Sequence, residues 1–343
     1  MNVLVADFLF VKEHLTVNVN TIKALALFSQ VSIISQNNYY DSYLKELNNR
    51  VQIINSSVKG DREGRISGKL FSMRLINEAI RIYREGEYDF IIVLAFDSIV
   101  MSLNGWLLPK NKTMIIHHKN LDEILSNKFK SILFSLYKNN TFHIVYEKYF
   151  AEVLKQKVSE KRIFHIPHPV SYVEDINYHT KNNRFDCVAL CNSNNELFID
   201  KLYELGISNF GGSILIRSKK KRQSTNHLVF INRFLTYEEY SQLIRGSKCV
   251  FVPLPNHYKY RLSGSIYDAL VRRKMVFTNS KIHQEGLNKL YPGIVKYVET
   301  PEDLLNGINE INENDGMFDK FIVDHSVNNV SNEFRKILLK FKK

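Results

Sequence analysis

The sequence predicts two doubly wound α/β domains in one chain. Three observations carry that expectation: a length of 343 residues, about twice one ordinary domain; two separate series of short apolar runs spaced by helical stretches; and a polar, proline-punctuated break between the series. With 44% hydrophobic and 24% charged residues the composition is that of a globular protein, which excludes a fibrous or disordered one.

The first series is VLVADF (3–8), VSIIS (31–35), VQIIN (51–55), FIIVLAF (90–96), TMIIHH (113–118), FHIVYE (142–147) and IFHIP (163–167). Most are continuous Val, Ile, Leu and Phe rather than alternating, the pattern of strands buried on both faces of a parallel sheet. TIKALALF, SMRLINEAIRIYREG and KYFAEVLKQKV, which lie between them, carry apolar residues at helical spacing. Repetition of strand and helix implies right-handed crossovers.

The pattern stops over 167–184 and restarts with FDCVALC (185–191), SILIRS (213–218), HLVFIN (227–232), CVFVPL (249–254), MVFTN (275–279) and IVKYV (294–298). Two Rossmann-like domains are expected, 1–172 and 173–325, followed by a C-terminal helix within 326–343 that packs back on the first. Ligands of such sheets bind beyond the carboxyl ends of the strands, so the expected active site is a cleft faced by both domains.

The net charge of +12 favours anionic partners: nucleic acid, anionic lipid or phosphorylated small molecules. It divides evenly, +6 in 1–172 and +6 in 173–343, which argues against a dedicated nucleic-acid module. Lys219 to Arg222 is the one dense basic run, and a solvated loop explains it. Cys187, Cys191 and Cys249 are too few for a disulfide framework and fit a reducing compartment. Cys187 and Cys191 have no second Cys or His pair at zinc spacing and read as buried residues of one strand. The start MNVLVADFLF has neither a basic leader nor a cleavage site, and no apolar run spans a bilayer. The expected location is cytoplasmic, including the inner face of the cell membrane.

The most informative segment is 234–280. A helix ends at Gly246, a strand runs to Leu254, a polar loop follows, and Ser263, Gly264 and Ser265 open the next helix. Small residues at a helix start leave backbone N–H groups approachable by a phosphate, and Arg261 stands two residues upstream. Asp268, in the first turns of that helix, suits ribose hydroxyls. The plainer reading takes Ser263 as an N-cap and Arg261 as a solvated charge.

At these residues the chain resembles the retaining glycosyltransferases of the GT-B fold, in particular glycosyltransferase family four. Val145-Tyr146-Glu147 is similar to that family's "(V/I)SE", and Ile166-Pro167-His168-Pro169-Val170 to its "IPNGV" with His and Pro in place of Asn and Gly. Of the family's paired glutamates, Tyr260 stands at the first position and Asp268 at the second; Arg272-Arg273-Lys274-Met275-Val276 corresponds to "GKPVI". The resemblance implies a nucleotide-diphosphate sugar donor, bearing UDP or GDP, as co-substrate and no separate cofactor. Asp268 would then hold the ribose, and the Asn232-Arg233-Phe234 segment would read the base. The family's Arg and Lys after the first strand of the second domain are replaced by Asn192-Ser193-Asn194-Asn195-Glu196, so Arg261 with Arg217 or Lys219 would hold the diphosphate.

In the first domain, His117 and His118 end a strand where the family places a cleft histidine, and adjacent strand residues point to opposite faces. Asp97 follows another strand. His14, after the first, is an alternative acceptor-side base, as in inverting members of the wider fold.

KGDREGRISGKL (59–70) is basic and glycine-rich but not a Walker loop; it reads either as a mobile basic loop facing the acceptor or as a solvated one. Phe129, Ile132, Leu133, Leu136 and Tyr137 make one helical face beside Lys128, Lys130 and Lys138. Core packing explains that stripe; an interfacial helix on anionic lipid is the second reading. No D-x-D pair occurs, so no metal is expected at the diphosphate.

The combined expectation is a metal-independent, retaining hexosyltransferase of bacterial surface polysaccharide synthesis. It would act on a glycan or a polyprenyl-diphosphate-linked acceptor, with an anionic membrane surface as a further partner and no nucleic acid. Tyr260 in place of glutamate keeps a second reading open: an inactive GT-B subunit that binds glycan or a partner protein.

Overall fold

The computed structural model describes residues 1–47, 49–60, 64, 66–171, 184–206, 210–311 and 314–342. Most of the break expected over 167–184, and residues 61–63 and 65 of the basic loop, lie outside the described residues. The chain forms two compact units, one of Met1–Pro169 with Tyr260–Leu262 and His325–Lys343, the other of Val170–Lys259 with Ser263–Asp324.

In the first unit, β1 (Asn2–Asp7), α1 (Leu15–Ala26), β2 (Gln30–Ser35), α2 (Asp41–Leu44), β3 (Val51–Asn55), α3 (Ser67–Glu85), β4 (Phe90–Ala95), α4 (Ser98–Asn104), β5 (Thr113–His117), α5 (Asn120–Ser126), α6 (Lys128–Phe134), β6 (Phe142–Tyr146), α7 (Lys148–Leu154) and β7 (Ile163–Ile166) follow in order. The seven strands lie in the order β3-β2-β1-β4-β5-β6-β7, all parallel. Their continuous apolar runs are covered on both faces; every residue of β4 and β5 is buried.

The second unit runs β8 (Phe185–Ala189), α8 (Glu196–Glu204), β9 (Ile214–Arg217), β10 (Leu228–Ile231), α9 (Tyr237–Arg245), β11 (Ser247–Val252), α10 (Gly264–Leu270), β12 (Met275–Thr278), α11 (Lys281–Asn288), β13 (Val295–Tyr297), α12 (Pro301–Asn309) and α13 (Asp315–Asp324). Its six parallel strands follow β10-β9-β8-β11-β12-β13. Phe198, Phe251 and Phe277 fill one face of this sheet. Gly307 of α12 is required there: a Cβ would come within 2.5 Å of the Phe277 ring. Thr236 and Thr300 start α9 and α12 with reciprocal capping boxes to Glu239 and Asp303.

The last helix, α14 (Val327–Phe341), starts at an Ser326 N-cap and packs on α1 and β7 of the first unit, with Phe341 4.2 Å from the Phe142 ring. Ahead of it, buried His325 meets the His168 carbonyl at 2.9 Å and lies 3.6 Å from the Glu147 carboxylate, which accepts the His168 N–H at 2.9 Å. Glu147 holds φ +76° to do so, a left-handed backbone rare for this residue type.

The stripe on α6 divides. Phe134 and Tyr137 are buried, but Phe129, Ile132 and Leu136 are 62%, 67% and 54% exposed. Core packing therefore does not account for these three: Phe134, off the expected face, supplies the helix's main core contact. The cysteines are all buried and unbridged, with Cys187 inside β8 and Cys191 two residues beyond its end. Among the described residues no helix is long and apolar enough to cross a membrane.

Candidate functional site

In each sheet the strand order reverses direction once, between β1 and β4 in the first and between β8 and β11 in the second. Loops diverge at such a point, leaving room for a ligand beyond the strands' carboxyl ends.

Around the switch point of the second unit, Arg217 ends β9 and is 7% exposed. Its Nε donates to the Arg233 carbonyl at 2.9 Å, and its Nη1 donates to the Cys191 carbonyl at 3.3 Å and to the Asn192 Oδ1. These bonds tie together the turns that follow β8 and β10. Phe234 lies over the same guanidinium at 4.5 Å and is 78% exposed, an aromatic face held open to solvent by an arginine behind it. Arg233 is engaged elsewhere, forking onto Glu239 at 2.6 and 2.9 Å and holding that carboxyl down to about 2. Ser193 lies half-buried in the turn after β8.

Ser263 stands at the N-cap of α10, but its hydroxyl makes no cap bond, and the space where Gly264 would carry a side chain is open. Ser265 bonds the Cys191 thiol and the Tyr240 hydroxyl. Burial pushes the Cys191 thiol up to about 11, so it stays protonated. One turn on, Asp268 accepts from Tyr240 at 3.4 Å and faces Arg272 at 4.0 Å, with about half its side chain exposed. A partly open carboxylate, an uncapped helix start and an exposed aromatic thus belong to one end of one sheet. The basic run offers no such opening: Lys220 and Arg222 are tied to Glu196 and Asp200 on α8.

At the switch point of the first unit is a cavity of about 420 Å³. Phe8 and Leu9 after β1, Asp97 after β4, Gly68, Lys69, Phe71 and Ser72 at the start of α3, and Lys130 of α6 are among its lining. Asp97 is also the N-cap of α4, one carboxylate oxygen accepting from the Ile99 and Val100 amides. Lys130 pairs with Glu123 at 2.9 Å. The loop over β1 is shaped by Asp7, whose buried carboxylate takes hydrogen bonds from Leu9, Phe10, Asn18 and Tyr40. Burial raises the Asp7 pKa.

The two histidines at the end of β5, His117 its last residue and His118 the next, part company. His117 turns into the core, 2.9 Å from His143 and edge-on to Phe96 and Phe134. His118 stacks on His14 with ring centroids 4.3 Å apart, and its buried Nε2 has no hydrogen-bond partner. His14 is lowered to about 4, first by burial and then by the charges of Arg261 and Lys119, so it is a neutral imidazole at pH 7. His117 and His118 are held well below the ordinary range, chiefly by burial. Arg261 thus belongs with His14 in the first unit, as does Tyr260, whose N–H donates to Asp122 at 2.6 Å. Ser263 to Ser265 and Asp268 belong to the second.

Lys69 closes the basic segment read as facing the acceptor, whereas sequence reasoning missed Lys130 and Ser72 as cavity residues and the Asp7 network behind them. A lone aspartate inside an apolar strand was the available signal for the latter.

No known family model and no curated protein matches the chain. Solved structures do. A glycosyltransferase from Rickettsia africae is 14% identical, with a TM-score of 0.64 over 100% of this chain and 98% of that one. HepE of Anabaena, in complex with UDP and glucose, is 12% identical with a TM-score of 0.65 over 99% and 100%. UGT89C1 of Arabidopsis thaliana, complexed with UDP-L-rhamnose, is 10% identical with a TM-score of 0.62 over 100% and 99%. At such identities the likeness is one of fold, and the resemblance to family four gains no family match: the chain is built on the two Rossmann-like domains of the GT-B glycosyltransferase fold.

Proposed function

We propose that the chain is a glycosyltransferase that binds a nucleotide-diphosphate sugar at the carboxyl edge of its second sheet. The observation that carries this reading is the exposed Phe234 ring backed by Arg217, on the same sheet end as Asp268 and the uncapped start of α10. The base stacks on Phe234, Asp268 accepts from the ribose hydroxyls, and the amides of Ser263 to Ser265 neutralise the diphosphate as it leaves. That neutralisation is the larger catalytic effect, since charge develops on the leaving oxygen. No metal is assigned to it. UDP, present in two of the fold relatives described above, is the first donor nucleotide to test and GDP the second.

The acceptor, a glycan or a lipid-linked oligosaccharide of bacterial surface polysaccharide, occupies the first unit's cavity. Asp97 faces its hydroxyls. On this reading the anomeric configuration is retained.

One observation favours inversion as a second reading. His14 is neutral at pH 7 and its buried Nδ1 has no partner, so it is in the protonation state of a base. It would take the proton of the acceptor hydroxyl as that oxygen bonds the anomeric carbon and the bond to the diphosphate breaks.

Supplying a panel of UDP- and GDP-sugars and measuring nucleoside diphosphate release tests the proposal. Turnover with one donor is expected, and the product's anomeric NMR coupling separates retention from inversion. Asp268→Ala turning over at the parent rate would remove Asp268 from the site. Absence of any sugar-nucleotide binding would favour the non-catalytic subunit.

A further inference from the structure

Helix α4 and the turn after it stand between α3 on one side and α6 on the other. From Ser98 to Pro109 this segment carries no charged side chain, although the outer face of a surface helix is ordinarily polar. Leu103 and Trp106 are 53% and 61% exposed there, and the indole N–H donates to the Leu103 carbonyl at 2.9 Å, which fixes the ring on the turn. On neighbouring α6 and the turn after it, Phe129, Ile132 and Leu136 are bare as well. These five side chains leave on the order of 600 Å² of apolar surface in water, the upper end of what a monomer leaves bare.

Beside Trp106 the surface is hollow. A cavity of about 350 Å³ is lined by Leu107 of the turn and by Asn77, Ile80, Arg81, Arg84 and Glu85 of α3. Ile80 and Leu107 form its apolar wall, and its volume accommodates an aromatic ring. Arg81 pairs with Glu85 at 2.8 Å, and on the α6 side Lys130 pairs with Glu123 at 2.9 Å. The charges on both flanks therefore come in opposite signs.

This pattern selects the occupant. A polyanion or an anionic surface calls for one sign around the apolar centre, whereas an isologous contact presents one patch twice and must complement itself. The apolar centre does so directly, and the flanks do so because each carries a basic and an acidic group. An exposed ring next to a cavity adds geometry: a two-fold axis between them seats each ring in the other copy's cavity and closes the pair. With its polar border the patch approaches the about 800 Å² a side of a stable interface. Tryptophan and arginine are the residue types in which such interfaces concentrate their energy.

We infer that α4 and its following turn, flanked by α3 and α6, form the contact face of a two-fold dimer of this chain, with Trp106 of each copy in the Ile80–Leu107 cavity of the other and Arg84 against the indole. The face is remote from the cavity at the switch point, since Lys69 and Arg84 stand roughly 22 Å apart along α3 at about 1.5 Å per residue. The inference stands whether or not the chain transfers sugar.

Sedimentation velocity of the full-length protein over a wide range of concentration tests it. A monomer–dimer equilibrium is expected. Trp106 is the chain's single tryptophan, so its emission reports on the contact face alone and should move to the blue as the dimer forms. Trp106→Asp and Leu103→Glu alter only exposed side chains, so their circular dichroism should match the parent while the dimer weakens at least tenfold in each. Leu103→Glu keeps the indole, and its emission should stay at the monomer position at every concentration. Arg84→Ala should weaken the dimer severalfold.

A parent that sediments as a monomer throughout overturns the inference. So does a dimer that both Trp106→Asp and Leu103→Glu leave intact, since the contact face would then lie elsewhere. If Trp106→Asp loses the parent's circular dichroism, Leu103→Glu decides between the two outcomes. Emission that moves to the blue on phosphatidylglycerol vesicles but not with protein concentration assigns the patch to lipid and also overturns the dimer.

Discussion

The guanidinium of Arg217 lies 4.5 Å behind the ring of Phe234, so a side chain that is 7% exposed holds one that is 78% exposed. The pair separates stability from binding. Phe234→Ala removes a surface ring and should change unfolding free energy by under about 1 kcal/mol. Loss of a stacking platform should raise the Kd for the nucleotide roughly tenfold, in line with about 1–3 kcal/mol per stacked base. Arg217→Ala strips hydrogen bonds from three partners on two turns and should destabilise the second unit by about 1–3 kcal/mol in urea unfolding.

Asp268 gives a sharper test of chemistry than of folding. Its side chain is about half exposed and its hydrogen bond to Tyr240 is long, so Asp268→Ala should unfold within about 1 kcal/mol of the parent. A hydrogen bond from a ribose hydroxyl to a carboxylate is worth about 1.5–3 kcal/mol. Affinity for the ribonucleotide should fall by an order of magnitude or more, and the deoxyribonucleotide should lose little in the variant.

The first unit should be acid-sensitive through its buried histidines. His143 is lowered to about 4 and His168 to about 3, both chiefly by burial, from an unfolded value near 6.5. Below pH 6.5 the unfolded chain binds protons that the folded chain refuses. Stability is therefore full above that pH and falls as pH drops toward 4, by up to about 1.4 kcal/mol per pH unit for each such imidazole. Thermal melts from pH 8 to pH 4 should show a flat region and then a decline that His143→Gln makes shallower.

His14 distinguishes the two stereochemical readings by pH. As a base with a pKa of about 4 it should leave kcat/KM level from neutral pH down to about 5, and His14→Ala should cost about 10²- to 10⁴-fold in kcat. A loss below tenfold assigns it to packing against His118 and leaves retention as the mechanism.

The strands were legible because burial on both faces of a parallel sheet demands continuous apolar runs, and FIIVLAF or MVFTN can be little else. Helix starts at Thr236 and Thr300 were equally local, since the capping residue and its partner stand three positions apart. What could not be read depends on residues distant in the chain. Nothing near Arg217 in the sequence announces acceptors at Cys191, Asn192 and Arg233. The α6 stripe has the same spacing whether it faces a core or water, and only the packing of Phe134 and Tyr137 decides. Tyr260 and Arg261, adjoining Ser263 in sequence, belong to a different unit, where Asp122 accepts the Tyr260 amide and the Arg261 charge acts on His14.

Calorimetric titration of UDP and GDP into the parent chain and Phe234→Ala tests the central claim most directly. Saturable one-site binding of one nucleotide, weakened about tenfold by the substitution, is the predicted result. Equal binding by both proteins, or no binding of either nucleotide to the parent, would contradict a donor site at the carboxyl edge of the second sheet.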